Sequence, residues 1–105
     1  MDIKKYNIIT LCGSIKFKDK FIKAQEKLTL EGNIVLTPNF FNNIKKEEID
    51  EETKKMLDEM HRQKIDMSDE IYVINLGGYI GESTKAEIEY AKAKGKKISY
   101  LESIK

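Results

Sequence analysis

Glu87 is the residue of this sequence best suited to carry chemistry. A carboxylate just past the loop that leaves a strand can attack a sugar carbon or act as a base for water. A structural role competes, because Thr84-Lys85-Ala86-Glu87 fits the capping box, in which the glutamate returns to the amide of the cap residue. His61 is the second candidate. It is the only histidine of the chain, and no other side chain has an ordinary pKa so close to neutrality. It also shares an i, i+4, i+8 row with Leu57 and Ile65, which suits a packed helix residue equally well.

A second set of residues suits an anion. The run Leu11-Cys12-Gly13-Ser14-Ile15-Lys16-Phe17 follows a strand-like segment and opens a helical one. Gly13 lets a ligand approach the backbone, and free amides at a helix start favour negative charge. Ser14 offers a hydroxyl, and Lys16 adds charge together with Lys18 and Lys20. On that reading, replacing Gly13 with valine removes anion binding and leaves a folded protein. The alternative is a tight turn in which Ser14 only caps the helix, and neither GxxxxGK[ST] nor GxGxxG is present. Cys12 fits a small buried residue beneath that turn. The loop from Gly77 to Ser83 adds Gly81, Ser83 and, at its end, Thr84. Its Tyr79 can stack on a base or be a plain loop aromatic. Asp69 falls at the amino end of the third strand, remote from these groups, where a turn role is expected.

The elements that must hold these residues alternate between short apolar runs and charged helical patterns, as βα units do. Tyr6 to Leu11, Ile34 to Leu36, Ile71 to Ile74 and Ile98 to Leu101 read as strands. Phe17, Phe21, Ala24 and Leu28 form one helical stripe that Gly32 ends. A second helix is expected from about Thr53 through Met56, Leu57, Met60 and Ile65, and a third from Ser83-Thr84 to Gly95. The stretch Asn39 to Glu52 is irregular, and its Phe40 and Phe41 suit a mobile flap over a site. The expected architecture is a single α/β domain over residues 1–105, a three-layer Rossmann/flavodoxin-like fold with a short parallel sheet of order 2-1-3-4. Ligands of such sheets bind beyond the carboxyl ends of the strands, where the order switches between the first and third. Both glycine-bearing turns leave those two strands.

Composition narrows the function classes. Nineteen basic residues against 18 acidic ones give a net charge of +1, without the basic excess of a nucleic-acid-binding protein. No run approaches the ~20 apolar residues of a membrane span, so no membrane partner is expected. The single cysteine cannot close an internal disulfide, and no Cys/His group has zinc spacing. A cytoplasmic protein with no metal and no cofactor is the expectation. A four-stranded domain of this size leaves apolar helix surface uncovered, so a homodimer or larger homo-oligomer is also expected.

ITLCGSIKF, SDEIYVIN and GESTKAEIEYAKAKGK together, in this order across nearly the whole chain, resemble the nucleoside 2-deoxyribosyltransferase superfamily, nearest its 2'-deoxynucleoside 5'-phosphate N-hydrolase branch. The resemblance implies a small nucleotide or nucleoside ligand whose 5'-phosphate is held by Gly13, Ser14 and Lys16, close to Ser83 and Thr84. It implies a nucleophile at Glu87, through the match of Glu87-Ile88-Glu89-Tyr90-Ala91 to E-x-x-x-A. Two departures accompany it: the superfamily's sugar-orienting aspartate falls on His61, and its first-strand tyrosine on Thr10. The chain also ends soon after the fourth strand, where some members supply residues to a neighbouring site. The implied activity is an N-glycosidic bond hydrolase or deoxyribosyltransferase. The alternative is a nucleotide-binding module of the same fold that does not catalyse.

Overall fold

Apolar runs without polar alternation become central strands, because both faces of a parallel sheet are covered. The computed structural model describes residues 4–104. Its elements are β1 (Asn7–Gly13), α1 (Lys18–Leu30), β2 (Asn33–Leu36), α2 (Glu51–Met67), β3 (Glu70–Ile74), α3 (Glu82–Ala93) and β4 (Lys97–Tyr100). The four strands are all parallel and lie in the order β2-β1-β3-β4, as the sequence led us to expect.

Side chains of the two central strands alternate between two cores. Ile9, Leu11 and Ile74 pack with Phe21, Ala24 and Leu28 of α1 on one face. Cys12, Ile71 and Val73 pack with Ile65 of α2 and with Ile88 and Ala91 of α3 on the other. The result is three layers. Gly32 ends α1 as anticipated, in a left-handed conformation (φ 96°) that glycine adopts without strain.

Two boundaries differ from the expected ones. The second helix starts at Glu51, two residues before Thr53, because Asp50 caps it by accepting the Thr53 amide at 2.8 Å. The third starts at Glu82 with Gly81 as its cap residue and no side-chain capping bond. Thr84 therefore lies inside the helix and is buried.

The segment after β2 is held at several points rather than hanging free. The Lys64 ammonium donates to the Thr37 carbonyl at 2.8 Å and to Asn39 Oδ1 at 3.4 Å. Lys18 donates to Asn42 Oδ1 at 2.9 Å, and the Phe40 ring stands edge-on to Phe21. At the same end of the sheet, just past β3, Asn75 is buried and bonded to Glu102 in both directions, at 2.9 and 2.8 Å. Asn75→Ala is expected to cost about 1–3 kcal/mol, since it leaves the Glu102 backbone groups without their partners. A denaturant midpoint equal to wild type would show that water replaces them freely.

Candidate functional site

The carboxyl ends of β1 and β3 place Cys12 and the loop before α3 side by side, with Cys12 opposite Val73 and Gly13 opposite Ile74. The α2 helix crosses the same face, and its inward row presents Leu57, His61 and Ile65. Glu87, the sixth residue of α3, faces this row. His61 Nε2 lies 3.6 Å from Glu87 Oε1 and 3.6 Å from Cys12 Sγ. A cleft of about 170 Å³ opens above them, bounded by Gly13, Ile15, Phe41, Asp58, His61 and Glu87. A smaller hollow of about 130 Å³ adjoins it, lined by Asp58, Arg62, Ser83, Ala86 and Glu87. Glu87 and Asp58 border both.

Burial governs the electrostatics. It pushes the Glu87 carboxyl up to about 7, with Asp58 adding to the rise while the Cys12 thiol and Arg62 oppose it. It pushes the His61 imidazole down to about 4, helped by Lys64 and opposed by Asp58. The Cys12 thiol is likewise raised, by burial first and by Glu87 second. The His61–Glu87 distance is within ion-pair range, yet burial favours the uncharged form of each partner. We therefore read the pair as a neutral imidazole beside a carboxyl that is partly ionised at neutral pH.

Linkage gives His61 a measurable consequence. Its pKa is lower folded than unfolded, so the stability it contributes is complete above about 6.5 and lost as pH falls toward 4. The loss amounts to at most about 3 kcal/mol, at roughly 1.4 kcal/mol per unit. Denaturant midpoints of His61→Gln should vary less than wild type across that window; equal slopes would place the acid sensitivity elsewhere.

Several expected site residues do come together. Gly13, His61 and Glu87 border the cleft, and Ser83 borders the adjoining hollow. The capping role for Glu87 is ruled out by geometry, because α3 begins at Gly81 and Glu87 lies beyond its first turn. Ser14 does cap: its hydroxyl accepts the Lys16 amide at 3.4 Å, at the start of a 3-10 turn over Ile15–Phe17. Lys16 lies with its ammonium 3.6 Å from the centre of the Tyr79 ring, so that ring already has a cation on its face. Cys12 and Thr84 are buried and offer no open surface to a nucleotide in the cleft. Thr10, where the resemblance puts a tyrosine, is buried with its hydroxyl on Ser68 and on the Lys64 carbonyl. Asp69 accepts the Ile8 amide at 2.8 Å at the amino end of the sheet, the turn role expected of it.

Asp58 and Arg62 were not singled out from sequence. Asp58 and Arg62 are four residues apart, so helical spacing puts them on one row, beside the row that bears His61.

The fold is that of an α/β three-layer protein with a cleft at the switch point of its parallel sheet. The chain belongs to the family described as "Domain of unknown function (DUF4406)", which it matches over residues 6–100. No curated protein matches it. Among solved structures it is similar to one described as "Crystal structure of conserved protein from Enterococcus faecalis V583". That likeness has a TM-score of 0.65 at 18% identity, over 91% of this chain and 63% of the other. The chain thus spans less than two thirds of that protein, and the likeness is one of fold.

Proposed function

We propose that the protein cleaves the N-glycosidic bond of a nucleoside 5'-phosphate or nucleoside, with Glu87 as nucleophile. The observation that carries this reading is the position of the Glu87 carboxyl, only 23% exposed, at the junction of two hollows that a second carboxylate, Asp58, also borders. The ionised Glu87 oxygen attacks the anomeric carbon, the bond to the base breaks, and the base leaves with its electron pair and takes a proton from water. Water then hydrolyses the glycosyl ester, or a second base accepts the sugar. Asp58 accepts from a sugar hydroxyl, and Arg62 with Ser83 holds an anionic group in the smaller hollow. His61, neutral above about 4, stands with Nε2 3.6 Å from Glu87 Oε1 and orients that carboxyl; it is a positioning residue and not a proton donor at neutral pH.

One observation favours the non-catalytic alternative. A carboxyl held at about 7 is only partly ionised at neutral pH, which weakens it as a nucleophile. Incubation with ribo- and deoxyribonucleoside monophosphates and the corresponding nucleosides, followed by chromatography for free base, tests both readings. Base release supports the glycosidase. A ligand-induced rise in melting temperature without base release supports the binding module, and neither result overturns both.

We place the protein in the cytoplasm as a homo-oligomer. Exposed Ile22 and Leu30 on α1, and Met56, Met60 and Met67 on α2, support self-association. Among the described residues no helix is long and apolar enough to cross a membrane. A monomer at high concentration by light scattering would contradict the oligomer.

A further inference from the structure

Three donor atoms of different chemistry meet beneath the cleft, with His61 and Glu87 lining it and Cys12 buried below them. Cys12 Sγ and Glu87 Oε1 each lie 3.6 Å from the same nitrogen, His61 Nε2. All three donors fall within 4.8 Å of one another. A catalytic relay through histidine uses both ring nitrogens, one for the nucleophile and one for the orienting carboxylate. Here both partners sit on Nε2, while the buried Nδ1 has no hydrogen-bond partner among the described residues. A thiol and a carboxyl converging on one nitrogen share a focus rather than forming a chain.

We propose that Cys12, His61 and Glu87 bind one divalent transition-metal ion of the zinc class, with its fourth coordination position open to the cleft. Zinc in tetrahedral coordination bonds sulfur at about 2.3 Å, imidazole at about 2.0–2.1 Å and carboxylate at about 2.0–2.2 Å. Those bonds put the sulfur and nitrogen donors about 3.5 Å apart and the nitrogen and oxygen donors about 3.4 Å apart. The two corresponding distances here are both 3.6 Å. The remaining sulfur–oxygen edge is no longer than 4.8 Å, against about 3.6 Å around such an ion.

Ligand chemistry points the same way. Thiolate with imidazole selects zinc-class ions over magnesium or calcium, which take oxygen. A thiolate and a carboxylate neutralise a dication, so the buried site carries no net charge when filled. Binding releases the Cys12 proton, and that of Glu87 where it is protonated, to solvent. The imidazole is already neutral. Since His61 and Glu87 both line the cleft, the ion has a route from solvent. The unpartnered Nδ1 sets a limit on affinity: a hydrogen-bond partner on the second ring nitrogen is worth about 10–100-fold, and this site forgoes it.

This goes beyond the glycosidase reading and does not require it. Where both hold, the ion takes the carboxylate that attacks the sugar, so zinc inhibits base release.

Cobalt(II), titrated into chelator-washed protein near neutral pH, tests the site by absorption. The expected result is one cobalt per chain, a thiolate-to-cobalt band in the near ultraviolet, visible bands of tetrahedral cobalt, and displacement of all of them by zinc. Glu87→Gln should weaken cobalt binding at least about tenfold, and Cys12→Ser should abolish the thiolate band. Because Cys12 is fully buried and its variant can misfold, a wild-type measurement stands beside it: zinc should slow the reaction of Cys12 with a thiol reagent. Absence of stoichiometric binding, cobalt bound without a thiolate band, unchanged affinity in Glu87→Gln, or thiol reactivity indifferent to zinc each overturns the proposal. None of these readouts needs turnover, so failure of the glycosidase reading leaves the metal test intact.

Discussion

Glu87→Gln should lose about a hundredfold or more in the rate of base release while nucleotide affinity stays close to that of wild type. The amide keeps the shape of the carboxyl and cannot attack. Wild-type turnover should climb as pH rises through about 7, the value to which burial holds the carboxyl, because the ionised form is the reactive one. Stability should move in the opposite direction. A carboxyl whose pKa is higher folded than unfolded contributes stability that is complete below about 4.5 and lost as pH rises through about 7. The full difference is about 3 kcal/mol at most, at roughly 1.4 kcal/mol per unit. The glutamine variant never ionises and should keep that stability in alkali. Turnover and denaturant midpoints across the pH range therefore separate the roles. A variant that still releases base at the wild-type rate sinks the nucleophile, and one less stable than wild type at every pH marks Glu87 as a packing residue.

Gly13→Ala is expected to be the most damaging small substitution at the site. Gly13 has φ 149°, and a Cβ there would stand 2.9 Å from the Ile74 carbonyl oxygen, 3.1 Å from Ile74 Cβ and 3.2 Å from Phe21 Cζ. Backbone strain of about 1–3 kcal/mol joins overpacking of about 1–3 kcal/mol, a large part of the ~5–15 kcal/mol that holds a domain folded. The expectation that valine at this position would silence an anion site in an otherwise intact protein is thereby corrected. The glycine is required by the contact of β1 with β3 before any ligand arrives. Gly81 supplies the control. Its neighbour is the mobile end of the Tyr79 side chain, at 3.2 Å, and Gly81→Ala should cost less than about 1 kcal/mol. Equal melting temperatures for Gly13→Ala and wild type would refute the close approach.

The sheet was legible because its order follows from short, uninterrupted apolar runs such as Ile71 to Ile74, which suit only strands covered on both faces. The α1 stripe was legible for the same reason: Phe21, Ala24 and Leu28 repeat at helical spacing and all are buried. Helix starts were harder to read. Ser83 and Thr84 look like caps, but the chain turns into α3 at Gly81, and local residue preference cannot register that geometry. The meeting of Cys12, His61 and Glu87 was out of reach for a different reason. It joins a strand, a helix and a second helix, and only the crossing of α2 over the sheet brings their atoms within 4.8 Å of one another. Asp58 and Arg62 were within reach, since their row lies beside the helical row through His61. The paired hydrogen bonds between Asn75 and Glu102 left no local trace.

That last pairing also bears on the order in which the protein is made. Asn75 sits at the end of a central strand, yet its amide is satisfied only by a residue after the final strand. On the ribosome, chains grow at about 5–20 residues per second. A nascent chain that has completed β1 through α3 still holds a polar side chain with nothing to bond. An unpaired buried group of that kind costs about 1–3 kcal/mol, so the carboxyl end of β3 is expected to lack that stabilisation until its partner arrives. Because Glu102 follows β4 by two residues, docking of that strand is expected to satisfy the Asn75 amide as well.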